Sequence, residues 1–251
     1  MLEIELETLF AHDPDGRLAP ADRHGNPAPD FTIARTDGAV AVRIRSDLPA
    51  DLAGKLAGLG AREPADPPID APPAFDREYR RLLGLGDRTP EVYVAFVLER
   101  DQPKKKQPKA VAFVLEKDQP NKKQPGAVQP EAVATVDRRL LGEFPHLATD
   151  LELGHPGFAL VRDGKAVSVA FTSRSGGRGA EAGVETLPAY RGRGYATAVV
   201  AAWAEAVRRS GRIAFYSAAA KNAASLAVGE RLAGASYASL THYRTKRGSG
   251  R

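Results

Sequence analysis

The sequence predicts a mixed α/β protein, in which a larger C-terminal α/β domain follows a smaller α/β module, and three observations carry that reading. Residues 181–217 run as strand, tight glycine turn, amphipathic helix and strand, the layout of a βαβ unit. Two Asp-Gly pairs, Asp37-Gly38 and Asp163-Gly164, each stand between alternating apolar runs, which marks a β-hairpin. Helical spacing recurs at Leu48, Leu52, Leu56 and Leu59, and again at Ala196, Val199, Val200, Trp203 and Val207.

At 251 residues the chain divides most naturally into two parts with a connector. The boundaries expected from composition are 1–90 for the N-terminal module, 91–130 for a basic Pro/Gln/Lys linker and 131–251 for the larger domain. No apolar run approaches the length of a membrane span, and Met1 to Glu5 lacks the basic start and apolar core of a secretory signal. Cysteine is absent, which excludes disulfides, cysteine-ligated metal and a covalent cysteine intermediate, and fits a cytoplasmic address. The net charge of +5 sits almost wholly between Val94 and Val128, with eight Lys/Arg against four Asp/Glu. Those lysines are interleaved with Pro and Gln and have no aromatic partners, so the segment reads as a solvated linker; neither nucleic acid nor membrane is an expected partner.

Along the chain, Leu2, Ile4 and Leu6 alternate with acids and suggest a first strand. A polar loop runs to Asp30, and the hairpin of residues 31–44 follows. Ser46 or Asp47 is placed to cap the helix that carries Leu48 to Leu59. Residues 62–74 read as an extended connector, and a short helix bears Tyr79, Leu82 and Leu83. Val94 to Glu99 then returns as Val111 to Glu116, and Asp101 to Pro103 as Asp118 to Pro120, a near-exact tandem repeat of seventeen residues. Two copies are too few for a solenoid, and an unpaired Ala-Phe-Val-Leu strand would be a sticky edge, so both copies are expected to enter sheets. A helical stretch is expected over 136–153, strands at 158–161 and 166–171, a Gly/Arg loop at 173–179, a strand at 181–187 and a last strand within 236–244. His12 and His24 lie in loops without a second ligand at metal spacing, so no metal is expected.

The densest chemical signal is Arg191-Gly192-Arg193-Gly194-Tyr195-Ala196. Two glycines let the backbone approach a ligand, and the turn opens into a helix whose free N–H groups and positive dipole end suit an anion such as a pyrophosphate. A Rossmann glycine pattern is absent, as is the Gly-Lys-Ser/Thr of a P-loop. Arg191-x-x-Gly194-x-Ala196, preceded by Pro188-Ala189-Tyr190, resembles the acetyl-CoA signature of the GNAT superfamily of N-acetyltransferases. Asn222-x-x-Ser225, which opens a helix ending near Arg231 to Gly234, is similar to the family's second cofactor-flanking block. The resemblance covers roughly 131–243, and the layout looks like bacterial GNAT proteins with an extra N-terminal module.

The resemblance implies acetyl-CoA as the co-substrate and a small-molecule or peptide amine as the acceptor. Val184, Thr186, Arg191, Gly192, Arg193, Gly194, Tyr195, Ala196, Asn222 and Ser225 would then bind the cofactor, with backbone groups around Val184-Glu185-Thr186 on pantetheine and the thioester. Acetyl transfer needs a neutral amine, a stabilised oxyanion and a proton for the thiolate. Without cysteine, direct attack in a ternary complex is the natural route. Glu185 and Glu181 are the candidate bases, and strand alternation puts them on one face, so that if one is wet the other is expected to be wet too. The family's general acid, a tyrosine seven residues after the Asn, is replaced by Gly229; Tyr216 and Tyr243 are the possible substitutes, as is water. Asn222 and Ser225 would equally serve as a helix cap. The departure at Gly229 keeps open an alternative, an acyl-CoA-binding GNAT-fold sensor or interaction module without catalysis.

Overall fold

A computed structural model of the chain describes residues 1–22, 25–65, 71–99, 111–114, 133–135, 142–144, 147 and 156–245. They form two compact units: Met1–Val97 with Gly176–Gly179 and Tyr216–Arg251, and Leu98–Ser175 with Ala180–Phe215.

The first unit carries an antiparallel sheet in the order β2 (Ala39–Ile44), β1 (Phe31–Thr36), β10 (Ala238–Tyr243) and β3 (Glu91–Val97). β1 pairs with the hairpin strand β2 (Phe31 opposite Ile44) and with the far end of the chain (Phe31 opposite Tyr243). The turn at Asp37-Gly38 holds Gly38 at φ 82°, which favours glycine. One sheet face packs α1 (Leu2–Leu9) through Leu2, Leu6, Ala34, Ala95 and Leu240. The other packs α2 (Ala50–Gly60) and α3 (Asp76–Leu82) around Phe31, Ile33, Leu56, Tyr79 and Tyr243.

Two expectations fail here. Residues 2–9 are a helix instead of a strand. Leu2, Leu6 and Leu9 share a helical face as well as any alternation, and Glu3 and Glu5 in the first turn favour the helix through its dipole. The helix over 50–60 starts after Pro49 with no side-chain cap, so neither Ser46 nor Asp47 fills that role. Pro49 immediately before the first helical residue supplies the fixed φ that starts the turn.

The second unit carries strands in the order β8 (Gly179–Thr186), β7 (Lys165–Ser175), β6 (Gly157–Arg162), β4 (Val111–Val114) and β5 (Val133–Thr135). Neighbours are antiparallel except β4 and β5, which are parallel. Asp163 (φ 50°) and Gly164 (φ 72°) form the two-residue hairpin turn that their dipeptide predicts. The loop expected at 173–179 is mostly strand: β7 runs to Ser175, β8 begins at Gly179, and Gly176 N–H closes the turn onto Gly179. Pairing continues because Arg174 and Ser175 face Glu181 and Ala180 across a bulge after Thr172. The helical stretch expected over 136–153 lies mostly outside the described residues.

The helix α4 (Tyr195–Arg209) packs on β6 and β7. Trp203, the sole tryptophan, is fully buried there and donates its indole N–H to Thr172 Oγ1 at 3.0 Å. The chain changes units within β9 (Ile213–Ala219), enters α5 (Ala223–Ala233) and ends in β10. Both repeat copies contribute strands: the first lies in β3 and the second supplies β4, beside β6. Residues 115–132, with the second copy's basic tail, lie outside the described residues.

Candidate functional site

β8 delivers the chain into the glycine turn. Leu187 N–H still bonds Val167, and Pro188–Tyr190 makes one turn of 3-10 helix. Arg191 N–H then closes onto Pro188 at 3.3 Å, and main-chain bonding resumes with Ala198 N–H on Gly194 at 3.1 Å. The amides of residues 192–197 between them have no main-chain acceptor among the described residues. Gly192 and Gly194 take φ 74° and 76°, and the space where their Cβ atoms would lie is open. Thr197, in the first turn of α4, is 8% exposed, and its hydroxyl has no hydrogen-bond partner among the described residues.

Three guanidinium groups surround this turn. Arg191 Nε donates to Thr186 O at 3.2 Å, Arg193 to Ala189 O at 3.1 Å and Arg162, from the end of β6, to Val161 O at 3.0 Å. All three are exposed, and each is oriented by a main-chain carbonyl instead of a carboxylate. Amides, open glycines, the Thr197 hydroxyl and exposed arginines without a carboxylate partner among the described residues together fit a phosphorylated ligand. Arg162 has no signal in the linear motif; only the hairpin brings it to the turn.

Residues 132–245 match the model of a protein family described as GNAT acetyltransferase. This part of the chain is similar to GNAT acetyltransferase domains. Among solved structures, an acetyltransferase of the GNAT family from Colwellia psychrerythraea is similar at 11% identity over 83% of this chain and 78% of its own, with a TM-score of 0.45. A GCN5-related N-acetyltransferase from Sphaerobacter thermophilus is similar at 14% identity over 88% and 77%, with a TM-score of 0.43. A tandem GNAT protein from the clavulanic acid biosynthesis pathway is similar at 15% identity over 96% and 86%, with a TM-score of 0.45. No curated protein matches the sequence.

On β8, alternation separates the candidate groups by face. Thr186 and Ala182 stand opposite Ser168 and Thr172 of β7, on the face that α4 covers; Thr186 Oγ1 lies 2.8 Å from Ser168 Oγ. Glu181, Gly183 and Glu185 project to the other face. The expectation that a wet Glu185 implies a wet Glu181 is corrected: Glu185 is exposed, whereas Glu181 is 4% exposed. Phe171, directly opposite Gly183, explains the difference. Its ring lies 2.5 Å from where a Gly183 Cβ would be, so it lies over the strand between the two acids.

The remaining candidates belong to the first unit and are described within it. Asn222 caps α5, its Oδ1 accepting from Ser225 N–H at 3.1 Å. Tyr216 is 2% exposed, with its hydroxyl 2.5 Å from Ser225 Oγ. Tyr243 is a core residue: fully buried, it donates to Asp76 Oδ1 at 2.9 Å and packs against Phe31 and Tyr79. Burial pushes its phenol well above the usual range, and the facing Asp76 carboxylate adds to that. Gly229 is buried on α5 beneath the ring of Phe96. Of the expected Gly/Arg loop, Arg178 pairs with Glu7 at 3.3 Å. His155 lies outside the described residues. Among the described residues, no group of His, Asp and Glu is arranged to hold a metal, and no helix is long and apolar enough to cross a membrane.

Proposed function

We propose that the protein is an acetyl-CoA-dependent N-acetyltransferase that passes an acetyl group to a primary amine by direct attack in a ternary complex. The observation that carries this is the turn at 191–196, whose open amides and main-chain-oriented arginines suit the pyrophosphate of the cofactor. Acetyl-CoA, when bound, supplies the activated thioester. Gly192 to Thr197 would hold its phosphates through main-chain N–H groups, with Arg191 and Arg193 balancing charge. Val184 and Thr186, at the end of β8, would follow the pantetheine arm.

Glu185 is the base in this reading. It projects from β8 on the face away from α4 and is open to an incoming ammonium, which it would bind and relieve of a proton directly or through water. Glu181, enclosed beside Phe171, would support the strand and the local field. Tyr216, with Ser225 on its hydroxyl, is the candidate donor of the proton that the departing thiolate needs, alongside water.

One observation favours a second reading, acyl-CoA binding without catalysis. The space that a tyrosine at position 229 would need is filled by Phe96. Calorimetric titration with acetyl-CoA, beside an Arg191→Ala/Arg193→Ala variant, tests the cofactor site; at least tenfold weaker binding is expected in the variant. Thiol release on addition of small primary amines then separates enzyme from sensor. Absence of acetyl-CoA binding in the unmodified protein sinks both readings.

A further inference from the structure

A second feature lies beside the turn and extends beyond the groups assigned to the pyrophosphate. The guanidinium of Arg193 sits over the ring of Tyr190 at 5.3 Å. Tyr190 stacks on Tyr195 with centroids 6.4 Å apart and planes 28° from parallel, and the guanidinium of Arg162 lies over Tyr195 at 5.4 Å. Two cations and two rings thus make one connected group, built from the turn, the first residue of α4 and the end of β6. Arg162 is exposed and held by its own strand's carbonyl, so the stacked guanidinium keeps edge donors for a further acceptor. The Tyr195 hydroxyl titrates below its ordinary range, chiefly through a hydrogen bond from Arg162, with Arg193 adding to it.

A guanidinium over a half-buried tyrosine, beside a phosphate-binding turn and without a carboxylate partner among the described residues, suits a ligand that joins an aromatic ring to a second anion. Coenzyme A has such a part: an adenine ring on a ribose that bears a 3′-phosphate, connected to the pyrophosphate. We propose that Arg162 receives the ribose 3′-phosphate of the coenzyme, its guanidinium and the Tyr195–Tyr190 pair lying beside the adenine. This rests on the acetyl-CoA reading and adds to it a choice among coenzyme forms. The domain discriminates CoA from its 3′-dephospho form, and the hairpin residue Arg162 makes the distinction.

The test is calorimetric titration of the full chain with CoA and with 3′-dephospho-CoA, in the unmodified protein, Arg162→Ala and Arg162→Lys. A charge-assisted contact at an exposed site predicts about tenfold tighter binding of CoA than of the dephospho form. Arg162→Ala brings the two within about twofold by weakening CoA alone, and Arg162→Lys, which keeps the charge and loses the planar fork, falls between. Equal affinities in the unmodified protein, or a preference that survives Arg162→Ala, overturns the assignment and leaves the acetyl-CoA reading intact. Binding of neither ligand overturns both. Arg162 is exposed at a strand end, so circular dichroism of the variants is expected to match the unmodified protein.

Discussion

The ring of Phe96 occupies the space that a side chain at Gly229 would need: a methyl group on Gly229 would meet Cδ2 and Cε2 of that ring at 2.5 Å. Alanine is about 1 kcal/mol better than glycine inside a helix. Overpacking outweighs that gain, and Gly229→Ala is expected to destabilise the protein by about 1–3 kcal/mol in urea unfolding. In a Phe96→Leu background the same change is expected to cost less, because the ring is gone. Equal costs in the two backgrounds would show that the ring is not the obstacle.

The two glutamates of β8 are expected to separate by readout. Glu185→Gln lowers kcat at least tenfold with its urea midpoint unchanged, since the side chain is exposed. Glu181→Gln shifts the midpoint, because the group is enclosed. A Glu185→Gln enzyme with full kcat would remove that residue as base.

His242 sets an acid limit. It is 6% exposed, its Nδ1 lies 3.2 Å from Thr32 Oγ1, and the rings of Phe10 and Tyr93 pack on it. Burial, with a smaller contribution from Arg244, lowers its pKa from 6.5 to about 3. The unfolded chain therefore binds a proton that the folded chain refuses. Stability present above pH 6.5 is lost as the pH falls toward 3, by roughly 3 kcal/mol on reaching about pH 4. His242→Gln is expected to flatten this part of the urea-midpoint profile; an unchanged slope would place the loss elsewhere.

Engineered cysteines report the fate of the repeat without background, since the chain has none. Ser239 stands directly opposite Val94 in the pairing of β10 with β3. Oxidation is expected to join Ser239→Cys to Val94→Cys, the spacing of opposed strand residues being close to that of a disulfide. Ser239→Cys is expected to remain a free thiol when paired with Val111→Cys. A link to position 111 would mean that the second copy takes the place of the first.

Much of the site was legible because its determinants are local. Asp-Gly turns, the glycines at 192 and 194 and the apolar stripe ending at Val207 each dictate their own conformation. What sequence reasoning missed depends on distant partners. The enclosure of Glu181 comes from Phe171 across the strand pair, the approach of Arg162 from a hairpin, and the loss of a side chain at 229 from a ring more than a hundred residues earlier. α1 was misread because Leu2, Ile4 and Leu6 satisfy a period of two while Leu2, Leu6 and Leu9 satisfy the helical period, and only the sheet beneath decides between them.

The last strand, β10, stands between β1 and β3. In a growing polypeptide, the hairpin at 31–44 and the strand at 91–97 are therefore made long before the strand that joins them. During synthesis both expose unpaired backbone edges to the cell, where chaperones are the natural cover. A premature stop codon anywhere before residue 238 is expected to undo the first unit, although the lesion lies at the opposite end of the message.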